Sequence, residues 1–227
     1  MQPAQVAEPL RFAPIVALDG TDPGRAPLFA LEVSMQREAH VRLTCAIGAL
    51  ITAHQCDPDR PPLAVMVSLS LQELERLEPD SLAAALVASD IAPELLMIRV
   101  PQYTAGAHTP MLDRIAATGV TVVAARIIVG SSQVGLLAGA PVDMIELPAA
   151  LVDDVDRTTE SADRVEEWMA VAHRVDWLVL ARNVRRPSQA LALKRLGCDL
   201  AAGPLMGAPV EPSYVAGGRA RGSRLAG

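Results

Sequence analysis

The sequence predicts an α/β protein built as one modified (β/α)8 barrel, a TIM-type barrel whose first two strands form a hairpin. Three observations predict it. Two apolar strand patterns, 12–18 and 28–33, flank the turn residues Asp19-Gly20 and Asp22-Pro23-Gly24, which reads as a hairpin with a long loop. Six further Val-, Leu- and Ile-rich runs then alternate with helical patterns. Finally, 227 residues give room for one such barrel, and a hydrophobic share of 51% excludes disorder over most of the chain.

In order, the hairpin leads into a helix at about 35–55, with Ile47, Leu50 and Ile51 on one face. Asp57-Pro58 and Pro61-Pro62 end it. A strand at 63–69 follows, and Ser70 with Glu73 forms a capping-box pattern for the next helix. A further helix covers 80–89. Beyond Pro93 come a strand at 95–100, a helix at 110–118 stopped by Gly119, and a strand at 120–125 apolar on both faces. The pattern continues with a helix near 131–138, a strand at 144–147, a helix at 161–174, a strand at 177–180, a helix at 188–196 and a short strand at 198–201. The barrel domain is thus 12–216, between a flexible leader, 1–11, and a flexible basic tail, 217–227, with Arg219, Arg221 and Arg224. Aromatics are only 3%, so the core must be built from small aliphatics with Met as filler.

A net charge of −6 gives no general attraction to nucleic acid or to an anionic membrane, and neither is expected as a partner. The N-terminus lacks the basic and apolar regions of a signal peptide, and no apolar run approaches the ~20 residues needed to span a bilayer. A cytoplasmic protein is expected. Cys45, Cys56 and Cys198 lack metal-ligand spacing and read as free thiols in a reducing compartment. His40, His54, His108 and His173 are scattered. There is no His-Glu-x-x-His, Cys-x-x-Cys, Gly-x-Ser-x-Gly or P-loop. The residues alone indicate no catalytic site and no cofactor.

The C-terminal third carries Trp177-Leu-Val-Leu-Ala181-Arg182-Asn183-Val184-Arg185-Arg186, then Leu196-Gly197-Cys198-Asp199, then Gly203-Pro204-Leu-Met-Gly207-Ala-Pro209. This resembles the last third of an EAL domain, the fold of cyclic di-GMP phosphodiesterases, whose frame reads Val-Val-Ala-Glu-Gly-Val-Glu-Thr, Leu-Gly-Cys-Asp, Gln-Gly and a closing Pro. Arg182 and Arg185 stand where that family places glutamates. The resemblance runs over about 12 to 212. It implies metal ions held at the C-terminal ends of strands, activating a water against a phosphodiester. Such hard cations take several oxygen ligands, mostly carboxylates.

Most of the family's acids are missing here. Phe29-Ala30-Leu31 matches the Glu-Ala-Leu signature, with Phe29 for the metal-binding glutamate. Glu32-Val33-Ser34 is the alternative register, and shifting by three turns the opposite strand face to the mouth. The Phe29 register is the favoured one, and under it Val33 replaces a phosphate-gripping arginine. Val67-Ser68-Leu69-Ser70 stands for Val-Asn-Leu-Ser, with Ser68 for the asparagine. Ile98-Arg99-Val100-Pro101-Gln102 stands for Leu-Glu-Ile-Thr-Glu. Ala124-Ala125-Arg126-Ile127-Ile128-Val129-Gly130 stands for Leu-Asp-Asp-Phe-Gly-Thr-Gly. In Val142-Asp143-Met144-Ile145-Glu146-Leu147-Pro148, Glu146 replaces the catalytic lysine, and Ala202-Gly203 stands for Gln-Gly. One helix separates the second strand from the third, where the family has a longer stretch with a loop over the substrate.

The resemblance therefore implies a degenerate EAL domain with no metal, not an enzyme. It would act as a regulatory protein in bacterial cyclic di-GMP signalling through protein–protein interaction. A receptor that binds cyclic di-GMP or another anionic nucleotide without turnover is the alternative, and an active phosphodiesterase the third. The protein partner is unknown, and a homodimer stays open. Arg99, Arg126, Arg182 and Arg185 either converge on the mouth as an anion site, find local carboxylates such as Glu146 or Asp143, or point into solvent. On the helix at 161–174, Val165, Trp168, Met169 and Val171 form a core-facing stripe, with Trp168 offered at its edge as an interface residue.

Overall fold

The structure, a computed structural model, describes residues 10–18, 28–35, 37–56, 63–100, 110–125 and 141–212. Eight strands close a barrel in sequence order: β1 Arg11–Ala17, β2 Leu28–Ser34, β3 Ala64–Ser68, β4 Leu96–Val100, β5 Thr121–Ala124, β6 Met144–Glu146, β7 Leu178–Ala181 and β8 Leu200–Ala202. β1 runs antiparallel to both β2 and β8, and every other pair is parallel. The predicted barrel and its opening hairpin are what the chain forms. Strand β1 begins at Arg11, the last residue assigned to the leader.

The described helices are α1 Ala39–Cys56, α2 Leu71–Glu75, α3 Pro79–Ala88, α4 Pro110–Ala116, α5 Ala149–Asp154, α6 Thr159–His173 and α7 Pro187–Arg195. The Ser70–Glu73 capping box forms at the start of α2, satisfying orphan N–H groups reciprocally. Gly119 ends the turn after α4 at φ +86°, as expected for a glycine stop. Helix α5 was not expected; its stretch, Ala-Ala-Leu-Val-Asp-Asp, is too short to show a helical period. The helix expected near 131–138 lies outside the described residues, as do 1–9, which fall in the leader, and the whole tail.

Strand alternation divides the core in two. One set of side chains, including Leu31, Val33, Val65, Val67, Ile98 and Val122, packs outward beneath the helices. The other set fills the barrel interior with Ile15, Ala30, Met66, Met97, Met144 and Leu180. Small residues and methionines thus plug the barrel, as the aromatic-poor composition required. Trp168 is 1% exposed and Trp177 is also buried. Trp168 therefore belongs to the core, and the interface role offered for it is corrected: the stripe on α6 is turned squarely onto the barrel.

Two aspartates latch strand starts. Asp143 Oδ2 accepts from Val122 N at 2.7 Å, and Asp199 Oδ2 accepts from Val179 N at 2.8 Å and contacts His173 Nε2 at 3.1 Å. Each joins the approach to one strand with the neighbouring strand. Cys198, beside Asp199, is buried. Burial, with the charge of Asp199 adding to it, pushes its thiol up to about 12.

Candidate functional site: an ion-pair network at the barrel mouth

The parallel register fixes which side chains reach the C-terminal mouth. Ser68 pairs with Arg99 across β3 and β4. With a period of two, the interior residues Ala30, Met66, Met97, Met144 and Leu180 are each followed two positions on by Glu32, Ser68, Arg99, Glu146 and Arg182. These five form one polar layer on top of the apolar plug.

The layer is internally bonded. Arg99 grips Glu146 with both ends of its fork, Nε to Oε1 at 2.5 Å and Nη2 to Oε2 at 2.7 Å. Its Nη1 donates to Ser68 Oγ at 3.3 Å. Arg182 Nη2 donates to Glu32 Oε2 at 2.7 Å, and its Nη1 reaches Glu146 Oε1 at 3.4 Å. Ser68 Oγ donates to Glu32 Oε1 at 3.4 Å and so closes the ring. Exposure of the Glu146 side chain is 5%, against 31% for Arg182. Burial works against the Arg182 charge. The field and hydrogen bond of Glu32, then those of Glu146, outweigh it and raise the guanidinium pKa above its ordinary value.

A second shell borders this layer. Arg42 on α1 donates to the Ser68 carbonyl at 2.5 Å and pairs with Glu73. Burial favours the protonated form of Glu73, but the Ser70 backbone and hydroxyl together with Arg42 hold its pKa below the ordinary value. At the opposite rim Arg186 makes two hydrogen bonds to Asp156, which also accepts from Ser188. The Arg186 bonds hold the Asp156 carboxyl at about 2, against burial acting to raise it. Gly203 at φ +145° lies where a Cβ would stand 2.4 Å from Val184 N, so the loops after β7 and β8 meet only over a glycine.

The sequence expectations divide accordingly. Arg99, Arg182, Ser68 and Glu146 come together. Of the two carboxylates offered as local partners, Glu146 is the one used; Asp143 sits at the other end of the barrel. Arg185 does not join them: it is exposed, and its Nε donates to Asn183 Oδ1 at 3.0 Å. Asn183, at φ +64°, turns the backbone between Arg182 and Arg185, so period-two alternation no longer aims Arg185. Arg126 lies outside the described residues. The Phe29 register is corrected: Glu32 holds the mouth position of β2, and Phe29 lines a cavity at the N-terminal ends of the strands. The two positions are an odd number apart, hence on opposite faces of a regular strand. Phe29 nevertheless packs toward the interior, because the ladder passes from Ile15↔Ala30 to Val16↔Leu28 and leaves Phe29 as the extra residue of a bulge. The bulge, not legible in the sequence, puts both residues on the interior face, and chain direction then places Glu32 at the C-terminal mouth and Phe29 at the opposite end.

The EAL domain family matches residues 35–209, most of the chain. The chain belongs to the EAL domain family. Cyclic di-GMP phosphodiesterase NbdA of Pseudomonas aeruginosa is 24% identical over 134 residues, 59% of this chain, and the match spans 16% of that protein's length. The EAL domain of Mycobacterium smegmatis DcpA superposes with a TM-score of 0.78 at 19% identity, over 95% of this chain and 97% of that one. The Xanthomonas citri FimX EAL domain, solved in complex with c-diGMP, gives 0.72 at 14% identity, over 89% and 87%. At these identities the solved structures speak for the fold. In this EAL domain the mouth is the layer of Glu32, Ser68, Arg99, Glu146 and Arg182.

Proposed function

We propose that this EAL domain is a regulatory protein without phosphodiesterase turnover, acting in cyclic di-GMP signalling by binding a protein partner in the cytoplasm. The observation that carries this reading is the closed ring at the mouth. The family's reaction uses metal ions held by carboxylates, and the described mouth residues do not fit such an ion. Both carboxylates of the layer, Glu32 and Glu146, are already bonded to guanidinium groups. A divalent cation placed on them would stand within a few ångströms of two fixed positive charges. Ser68 hydroxyl, bonded on both sides, is a weak additional donor. Among the described residues no three of the types His, Cys, Asp and Glu gather as a ligand set. The lysine that the family uses in catalysis is matched by Glu146, which here serves as the anchor of the two arginines.

The same ring bears on the receptor alternative. An anionic nucleotide would need Arg99 or Arg182 to leave a carboxylate that holds it at hydrogen-bond distance. The test has two arms. The chain incubated with cyclic di-GMP and Mg²⁺ or Mn²⁺ is expected to give no product above a heat-treated control. Turnover abolished by Glu32→Ala would overturn the reading. Millimolar phosphate or cyclic di-GMP is expected to leave the melting temperature unchanged; a rise by mass action, lost in Arg182→Ala, would replace the reading with the receptor.

A further inference from the structure

The opposite end of the barrel is unlike the mouth. A cavity of about 510 Å³ opens among the N-terminal ends of the strands. Its walls are part polar and part apolar, with Phe29, Met97, Met144 and Leu178 among the apolar residues. Its rim carries Glu94, Asp143 and Asp176, all exposed, and its described lining includes no basic residue. None of the three carboxylates has an ion pair among the described residues; Asp143 spends one oxygen on the Val122 N–H. Leu178, 39% exposed, and its neighbour Val175, 37% exposed, are two of the few large apolar side chains left open to solvent.

The apolar wall is a built feature. Period two would turn Phe29 outward beneath the helices, where Leu31 and Val33 lie. The bulge in β2 re-aims it into the cavity instead, at the loss of one ladder pairing. Met97 and Met144 are buried and form its floor, so the apolar surface open to a foreign side chain comes from Phe29 and Leu178. Volume in this range fits one large side chain or a small group of them. The face does not serve barrel chemistry, which works at the other end of the strands. It has the shape of a docking socket: an apolar pocket within a ring of negative charge, matched by an apolar anchor between positive charges.

We propose that this N-terminal end of the barrel docks a protein segment that presents an aromatic or aliphatic side chain flanked by arginine or lysine. The cavity takes the apolar side chain, and Glu94 and Asp176 take the flanking cations. The inference names a surface and a partner chemistry for the binding role above, yet the charged rim it rests on lies at the opposite strand ends from the mouth, and it holds whether or not the mouth turns over cyclic di-GMP.

The test is fluorescence anisotropy with the full chain and a labelled Arg-Phe-Leu-Arg peptide, beside Glu-Phe-Leu-Glu and Arg-Ser-Ser-Arg controls. Saturable binding of the first peptide alone is expected, weakening with added salt. Glu94→Gln with Asp176→Asn keeps shape and removes two charges; asparagine tolerates the positive φ of 57° at that position. This double variant is expected to weaken binding by about tenfold or more, and Leu178→Ser by roughly fivefold. Cyclic di-GMP is expected not to displace the peptide. Equal binding of Arg-Ser-Ser-Arg, an unchanged affinity in the double variant, displacement by cyclic di-GMP, or no saturation at millimolar peptide would each overturn the proposal. Measurable turnover at the mouth with socket binding intact would instead overturn only the regulatory reading.

Discussion

The two ends of this barrel hold charge in opposite ways. At the mouth, Glu32 and Glu146 meet Arg99 and Arg182, two negative charges and two positive ones bonded in a single layer. At the other end, Glu94, Asp143 and Asp176 surround a cavity that no described cation faces. The first end has satisfied itself; the second has charge to offer. A buried layer of this kind gains little net stability from its pairs, since desolvation offsets attraction, but it strongly penalises the loss of one member. An exposed acidic rim costs the fold little and stays available to a partner. The binding capacity we propose for this EAL domain therefore lies where the family's chemistry does not.

The most direct way to break the comparison is Glu146→Gln. It leaves Arg99 and Arg182 with one charge fewer in a mostly buried layer and is expected to cost about 3–5 kcal/mol in urea unfolding. Pairing it as Glu146→Leu with Arg99→Met is expected to return most of that loss; no recovery would mean the ring holds more than its charges. Next is Gly203→Ala, whose Cβ would collide with the Val184 backbone at positive φ. A loss of roughly 2–3 kcal/mol is expected, read as a lower melting temperature. Ser70→Ala, removing the α2 cap beside the Arg42–Glu73 pair, is expected to cost about 1 kcal/mol.

An effect confined to acid is a pH dependence at the mouth rim. Asp156 is depressed from 3.8 to about 2 in the folded chain. Its contribution is complete above the unfolded value and is lost as pH falls from about 4 toward 2. Asp156→Asn is expected to flatten that part of the stability curve and leave the neutral region unaltered in slope. At the other end, Glu94→Gln with Asp176→Asn is expected to change the melting temperature by less than about 1 °C, because both groups are exposed.

How much of this could be read beforehand depended on which forces act locally. Strand and helix alternation, the β1–β2 hairpin pairing and the Ser70–Glu73 box are set by neighbours in sequence, and they were legible. Arg99 and Glu146 were legible as mouth residues through the EAL motifs in which they stand, at the ends of apolar strands. Glu32 against Phe29 was not, since a bulge cancels the parity on which such a choice rests. Arg185 was grouped with Arg182 by the family motif, yet Asn183 between them turns the backbone at φ +64°. The acid-rimmed cavity was invisible, because its rim comes from Glu94, Asp143 and Asp176, which share no motif and meet only when four strands start side by side.

Cys198 lends the molecule an internal clock. With the thiol near 12, its thiolate fraction at pH 8 is roughly one in ten thousand, and it is 3% exposed, its Sγ against the Val179 and Leu200 carbonyls of β7 and β8. Alkylation there must wait for the last strands to part. The rate at which Cys198 is trapped by a fast thiol reagent then counts excursions of β7 and β8 out of the closed barrel, while the partly exposed Cys45 marks the reagent's own pace.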